Sequence, residues 1–323
     1  MSKLSLLDLG FFIAETEASP KHVAGLLICQ PPPKSGTFAK NLYRDYLSFT
    51  DVKPPFNRVI NFSLSAMPHW EDAPSVDLSQ HVFYHKLPKG GNDRQALYDL
   101  VAQLHVPMLD RSRPLWEVHI IDGLAPEPSS ASGRGGGRFA LYQKMHHAYA
   151  DGVTMARWTA DGLSESPDDM DLKPVWTQKH GGHGLKRKKA AQELMQSAWK
   201  EIGGTSLRFL GIGRLATMLL LESVKLTKNA IALPFVSSAK TPLTGQVTPG
   251  RQFTAVGVSL ARVNQIRVRT RSTINHVALT CLDGALRRYL SDQGVELRRP
   301  ITIQMPVNLR REGEKTAGNK IGI

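Results

Sequence analysis

Apolar runs bounded by proline, glycine and polar clusters divide the chain into short elements. HVAGLLIC at 22–29 lies between Pro20 and the triple proline at 31–33, which predicts a strand. Between 94 and 106, Leu97, Leu100, Val101 and Leu104 recur on one face and predict a helix. In RPLWEVHIIDGL, Trp116, Val118 and Ile120 alternate with Glu117, His119 and Ile121, the periodicity of a strand. The Gly- and Ser-rich stretch 126–137 predicts a surface loop, and a second strand is predicted at 138–147. Strands joined by such a loop are expected side by side and antiparallel. Val153, Ala156, Ala160 and Leu163 then predict a helix over 153–163.

The pattern breaks around 167–184. Residues 186–230 predict one or two basic helices, and 237–251 a loop. A new α/β pattern opens with FTAVGVSL at 253–260, predicted as a strand. A helix follows at 274–290, with Ile274, Val277, Cys281, Leu282 and Ala285 inward and Gly294 closing it. ITIQMPVN at 301–308 predicts another strand. The fold class is therefore α/β (α+β). The expected division is an N-terminal domain at 1–175, a basic helical linker or crossover at 176–250, and an incomplete C-terminal domain at 251–323. Strand, helix and strand make a thin layer, so the chain is expected to be truncated at its C-terminus. No internal repeat is visible.

A length of 323 residues agrees with more than one core. Hydrophobic content of 41% and charged content of 21% mark a globular rather than a disordered chain. Cys29 and Cys281 cannot build a disulfide framework; both are expected to be buried free thiols, which suits a reducing compartment. No secretory signal and no uninterrupted membrane span is apparent. The expected location is cytoplasmic, or peripheral on the inner membrane face or on lipid bodies.

Charge narrows the partners. The formal net charge of +13 favours anionic ones. Ten basic residues against three acidic ones lie between Trp176 and Ala230, about half of the excess. No nucleic-acid motif appears there and aromatics are not interleaved, so nucleic acid is not an expected partner. The apolar stretches 207–221 and 230–236 beside these charges fit an amphipathic helix on an anionic lipid surface. They fit equally a crossover helix packed on the core.

Candidate chemistry concentrates in KMHHAYADG at 144–152. Strand alternation puts His147 on a face with Phe139, Leu141, Gln143 and Met145, and His146 with Ala140, Tyr142 and Lys144. Zinc-type spacing is missing, and His180 and His183 lie isolated in a Gly-rich loop, so no metal site is expected. A histidine at a rigid strand end meets the needs of a general base. Asp151 could fix the neighbouring loop, and Gly152 would permit a backbone conformation closed to other residues. No G-x-S-x-G nucleophile elbow accompanies them, which favours direct attack by a bound substrate over a covalent acyl-enzyme. On the residues alone, a pair of packed histidines at a strand end fits as well.

HHAYADG is similar to the HHxxxDG signature of acyl-CoA-dependent acyltransferases. LSLLDLGFFIAETEASPKHVAGLLI, PLW at 114–116, NHVALTCLDGALRRYL and PVNLRREGEKTAGNKIGI resemble segments of the bacterial wax ester synthase/diacylglycerol acyltransferase family. The resemblance runs from residue 4 to the last residue. It implies a chloramphenicol-acetyltransferase-like fold and transfer of a fatty acyl group from acyl-CoA to a long-chain alcohol or to diacylglycerol. It implies no cofactor beyond acyl-CoA as co-substrate.

In that pattern His147 is the general base, His146 packs or orients, and Asp151 holds architecture. Asn275 supports the oxyanion region, and PLW is structural. His22 lies near the substrate entrance or is simply a half-exposed residue before a strand. Where the family has Asn-Asp, this chain has Asn275–His276, and a helix N-terminus disfavours a charged imidazole there. Two rival readings are a non-catalytic lipid-surface protein and the same fold acylating a different acceptor.

Overall fold

The computed structural model describes residues 2–62, 68–126, 137–180 and 242–296, apart from a few isolated positions, together with 301, 307–308 and 321–322. Most of the loop at 126–137, the basic helices at 186–230, the apolar stretches at 207–221 and 230–236, and most of the strand at 301–308 lie outside the described residues. The elements in chain order are β1 (Ser2–Lys3), α1 (Leu6–Ala14), β2 (His22–Cys29), α2 (Phe38–Ser48), β3 (Arg58–Asn61), β4 (His69–Asp72), β5 (Val82–Lys86), α3 (Asp93–His105), β6 (Trp116–Leu124), β7 (Arg138–His146), α4 (Gly152–Asp161), α5 (Leu260–Thr270), α6 (Ile274–Asp292), β8 (Val307–Asn308) and β9 (Ile321–Gly322). This is a mixed α/β fold. Among the described residues no helix is long and apolar enough to cross a membrane.

Two compact units emerge, one containing β1 to α4 and the other α5 and α6. The first is built on a four-stranded sheet in the order β2-β7-β6-β5. β7 pairs antiparallel with β2 from Cys29↔Phe139 to His22↔His146, and antiparallel with β6 on its other side. β5 joins β6 in parallel. The β6–β7 register shifts at Gly123, whose φ of 103° suits a residue without Cβ.

Both faces of the sheet are covered. Val23, Leu27, Trp116, Val118, Ile120, Leu141 and Met145 meet Met155 and Trp158 of α4 in the larger apolar cluster. α4 comes close because Gly25 has no side chain; a Cβ there would stand 3.0 Å from Met155 Cε. Thr159 Oγ1 donates to Gln143 Oε1 at 3.0 Å and ties the helix to β7. On the opposite face Ile121, Ala140 and Tyr142 meet Leu97, Tyr98 and Val101 of α3. The stripe predicted for that helix is its buried side, worth about 1.5–3 kcal/mol per large apolar residue.

The second unit departs from expectation. FTAVGVSL forms no strand; Val256 is 88% and Val258 70% exposed. Alternation makes a strand only where a neighbour accepts its backbone hydrogen bonds, and among the described residues none pairs with it. Instead α5 follows, unforeseen because three arginines interrupt its apolar positions. Ser259 caps it by accepting from the Arg262 N–H. α6 matches the predicted helix, but of its expected inward set only Val277 is buried, with Leu290. Cys281 is exposed and Cys29 half-buried, which corrects the expectation of two buried thiols.

Candidate active site

β7 delivers HHAYADG to one corner of the first unit. The strand ends at His146, one residue short of the sequence expectation, and a turn begins at His147. The His146 N–H donates to Leu115 O at 3.0 Å, and the His147 N–H to Lys21 O at 2.8 Å. The Tyr149 N–H then closes the turn on His146 O at 2.9 Å. The Tyr149 hydroxyl, fully buried, accepts from the Leu115 N–H and donates to Arg58 O. PLW is therefore structural: Leu115 pins both ends of the turn, and Trp116 stacks between His81 and Trp176.

The two imidazoles have different surroundings. His146 is 1% exposed and stacks on Phe12 at 4.3 Å between ring centres. Its Nδ1 accepts from the Ala148 N–H at 3.1 Å, which puts the proton of the neutral ring on Nε2. His147 is partly exposed, and its ring lies against Phe11 at 4.9 Å. Consecutive phenylalanines of α1 thus brace consecutive histidines of β7 and its turn.

Glu15, just past α1, anchors the corner from below. Its Oε1 accepts from the Lys21 N–H at 2.9 Å, and its Oε2 from Arg111 Nη2 at 2.8 Å. The same Oε2 lies 3.6 Å from His146 Nε2, an electrostatic contact too long for a full hydrogen bond. Burial alone would raise this carboxyl. The His146 ring, the Lys21 N–H and Arg111 together outweigh it and bring its pKa down to about 2. Arg111 also donates to Phe12 O and lies over the Phe12 ring.

Asp151 is wholly buried and caps α4, accepting from the Thr154 N–H at 2.8 Å. A carboxylate suits this position, where orphan backbone donors and the positive helix end meet. Gly152 opens α4 with no left-handed φ, and among the described residues nothing lies within 4 Å of where a Cβ would stand. The predicted reason for this glycine, an unusual backbone conformation, is thus incorrect; what it contributes is room.

His22 is not half-exposed. It is 8% exposed, lies opposite His146 in the β2–β7 register and donates from Nε2 to His105 O at 2.7 Å. Burial first, then the nearby Lys144 and His105 charges, push its pKa down to about 3.

Asn275 occupies the first turn of α6 in the second unit. There Thr273 and His276 form a capping box: Thr273 Oγ1 accepts from the His276 N–H, and His276 Nδ1 from the Thr273 N–H. The imidazole fills the role that an acid ordinarily takes at this helix position.

The sequence reading named His146, His147, Asp151 and Gly152, and the fold joins all four in one strand–turn–helix. It missed Phe11, Phe12, Lys21 and Arg111, and it gave Glu15 no role. Only the apolar FFIAE ending in a lone acid carried a signal, because a carboxylate at the edge of such a run needs a partner.

The family model of the wax ester synthase/diacylglycerol acyltransferase catalytic domain matches residues 4–278. A Mycobacterium tuberculosis protein, provisionally named as a diacylglycerol O-acyltransferase, is 30% identical over 99% of this chain and 67% of its own length. A second protein of that organism, similarly named, is 29% identical over 98% of this chain and 66% of its own. The solved structure of a wax ester synthase/diacylglycerol acyltransferase from Marinobacter aquaeolei is 26% identical with a TM-score of 0.67, covering 93% of this chain and 63% of that one. The chain spans about two thirds of the length of these relatives. With a family match over most of its length, the chain belongs to the wax ester synthase/diacylglycerol acyltransferase catalytic domain family.

Proposed function

We propose that the protein is an O-acyltransferase that moves a fatty acyl group from acyl-CoA to a long-chain alcohol or to diacylglycerol, with His147 as general base. The observation that carries this reading is the contrast inside HHAYADG: one imidazole is sealed, and its neighbour is braced on one side and partly exposed. His147 takes the hydroxyl proton as the alcohol oxygen attacks the thioester carbonyl. When the tetrahedral intermediate collapses, the C–S bond breaks and the proton passes to the departing CoA thiolate. No covalent acyl-enzyme is needed.

Asp151, engaged as the cap of α4, fixes where the helix starts rather than moving protons. The open space at Gly152 lets substrate approach the backbone beside the turn. The family pattern gives Asn275 as a supporter of the oxyanion region, where one well-placed donor is worth about 3 kcal/mol.

The test is CoA thiol release from a long-chain acyl-CoA with fatty alcohol, diacylglycerol or a small amine as acceptor. Release with alcohol or diacylglycerol, falling about 10²–10⁴-fold in His147→Ala with lipid binding intact, is the expected result. Release with the amine alone would point to a different acceptor. Release untouched by His147→Ala would exclude the histidine mechanism.

A further inference from the structure

Glu15 is linked to both histidines by separate routes. One is direct: its Oε2 faces His146 Nε2. The other runs through one peptide: Lys21 gives its N–H to Glu15 Oε1 and receives the His147 N–H on its carbonyl. The carboxylate is itself sealed, with 1% of its side chain exposed, and Arg111 neutralises it. No substrate could reach it, so its effect on chemistry must pass through other groups.

We propose that Glu15 is the positioning residue of the histidine pair: one oxygen faces the His146 ring, and the other holds the Lys21 peptide that fixes the His147 backbone. The inference rests on reading His147 as the reacting imidazole. With His146 Nδ1 occupied by the Ala148 N–H, Nε2 is left on the side of Glu15 Oε2, 3.6 Å away, and a flipped ring would lose both contacts. His146 is then held in one ring orientation with Phe12 stacked on it, while Phe11 lies against His147.

Glutamine cannot replace this acid. With its oxygen toward the Lys21 N–H, its amide faces Arg111 and the His146 Nε2–H, donor against donor. Turned round, it offers a donor to the Lys21 N–H. Aspartate keeps both acceptors on a shorter stem.

The experiment uses the full chain with ¹⁵N-labelled histidine. Long-range ¹H–¹⁵N spectra give the tautomer of each ring, and CoA release is followed on the same samples. The wild type is expected to show His146 as a single Nε2–H tautomer. In Glu15→Gln that tautomer is lost, the His147 signals move, and kcat falls about 10- to 100-fold with KM unchanged, as for a misplaced reacting group. Glu15→Asp should restore the tautomer and part of kcat. A folded Glu15→Gln variant with unchanged imidazole spectra would overturn the proposal. So would a wild-type His146 found as the Nδ1–H form, which requires no variant to fold. If the wild type releases no CoA, the acyl-transfer reading fails, and the spectra decide the role of Glu15 alone.

Discussion

The two faces of the four-stranded sheet are buried by opposite means. The face under α4 is apolar and aromatic, and it is held by packing: Trp116, Leu141 and Met145 against Met155 and Trp158. The face under α3 carries Glu117, His119, Tyr142 and Lys144 as well as Ile121 and Ala140, and polar contacts hold it together with apolar packing. Lys144 is 1% exposed. Its three ammonium protons have three acceptors: Leu104 O at 3.0 Å, Pro107 O at 2.7 Å and Glu117 Oε2 at 3.5 Å. His105 Nδ1 meets the Tyr142 hydroxyl at 2.7 Å, and His85 meets His119 at 3.0 Å. A packed face tolerates small losses of volume; a face of buried charges fails when one partner is removed.

Single substitutions tell the two faces apart. Lys144→Met keeps much of the shape, strands two carbonyls and leaves Glu117 only its contact with His119 at 3.4 Å. Its expected loss is about 3–5 kcal/mol, as for a buried pair that loses one member. Trp116→Phe, on the other face, loses the hydrogen bond from Nε1 to Phe56 O and should cost about 1–3 kcal/mol. Urea unfolding at pH 7 ranks the two, and the reverse order would mean that the polar face is not the fragile one.

Acid sharpens the same contrast with a smaller effect. The His22 pKa is about 3 in the fold against 6.5 when free, so the unfolded chain binds the extra proton as pH falls below 6.5. Stability should decline from pH 6.5 downward, by about 1.4 kcal/mol per pH unit for this one group, until His22 itself protonates near pH 3. Glu15, with a pKa lowered from 4.5 to about 2, adds a loss of the same sign only below pH 4.5. Urea midpoints between pH 7 and 4.5 should therefore fall less steeply in His22→Gln than in the wild type. Parallel slopes would show that His22 is not a buried neutral base.

The comparison also explains what the sequence could disclose. Alternation in 116–121 and the run at 138–147 found the strands, the loop between them their antiparallel pairing, and the stripe in 94–106 the buried side of α3. Alternation with Glu117, His119 and Lys144 ordinarily describes a sheet with one wet face. Nothing local says that α3 will close over these side chains, because the Lys144 acceptors at Leu104 and Pro107 are main-chain carbonyls. The corner followed the same rule. His146, His147, Asp151 and Gly152 are contiguous and could be read together. Phe11, Phe12 and Glu15 meet them only after β2 and β7 pair, so spacing along the chain could not join them. FTAVGVSL failed for the converse reason: its pattern was a strand's, but no strand pairs with it among the described residues.

Adjacent histidines differ here in exposure and in work. Carbethoxylation of the native chain by diethylpyrocarbonate tests this directly, with fragment-ion mass spectrometry separating positions 146 and 147. His147 should be modified at a rate approaching that of an exposed imidazole, slowed by long-chain acyl-CoA, while His146 stays unmodified until the chain unfolds. Equal modification of the two rings, or a resistant His147 beside a reactive His146, would contradict the account.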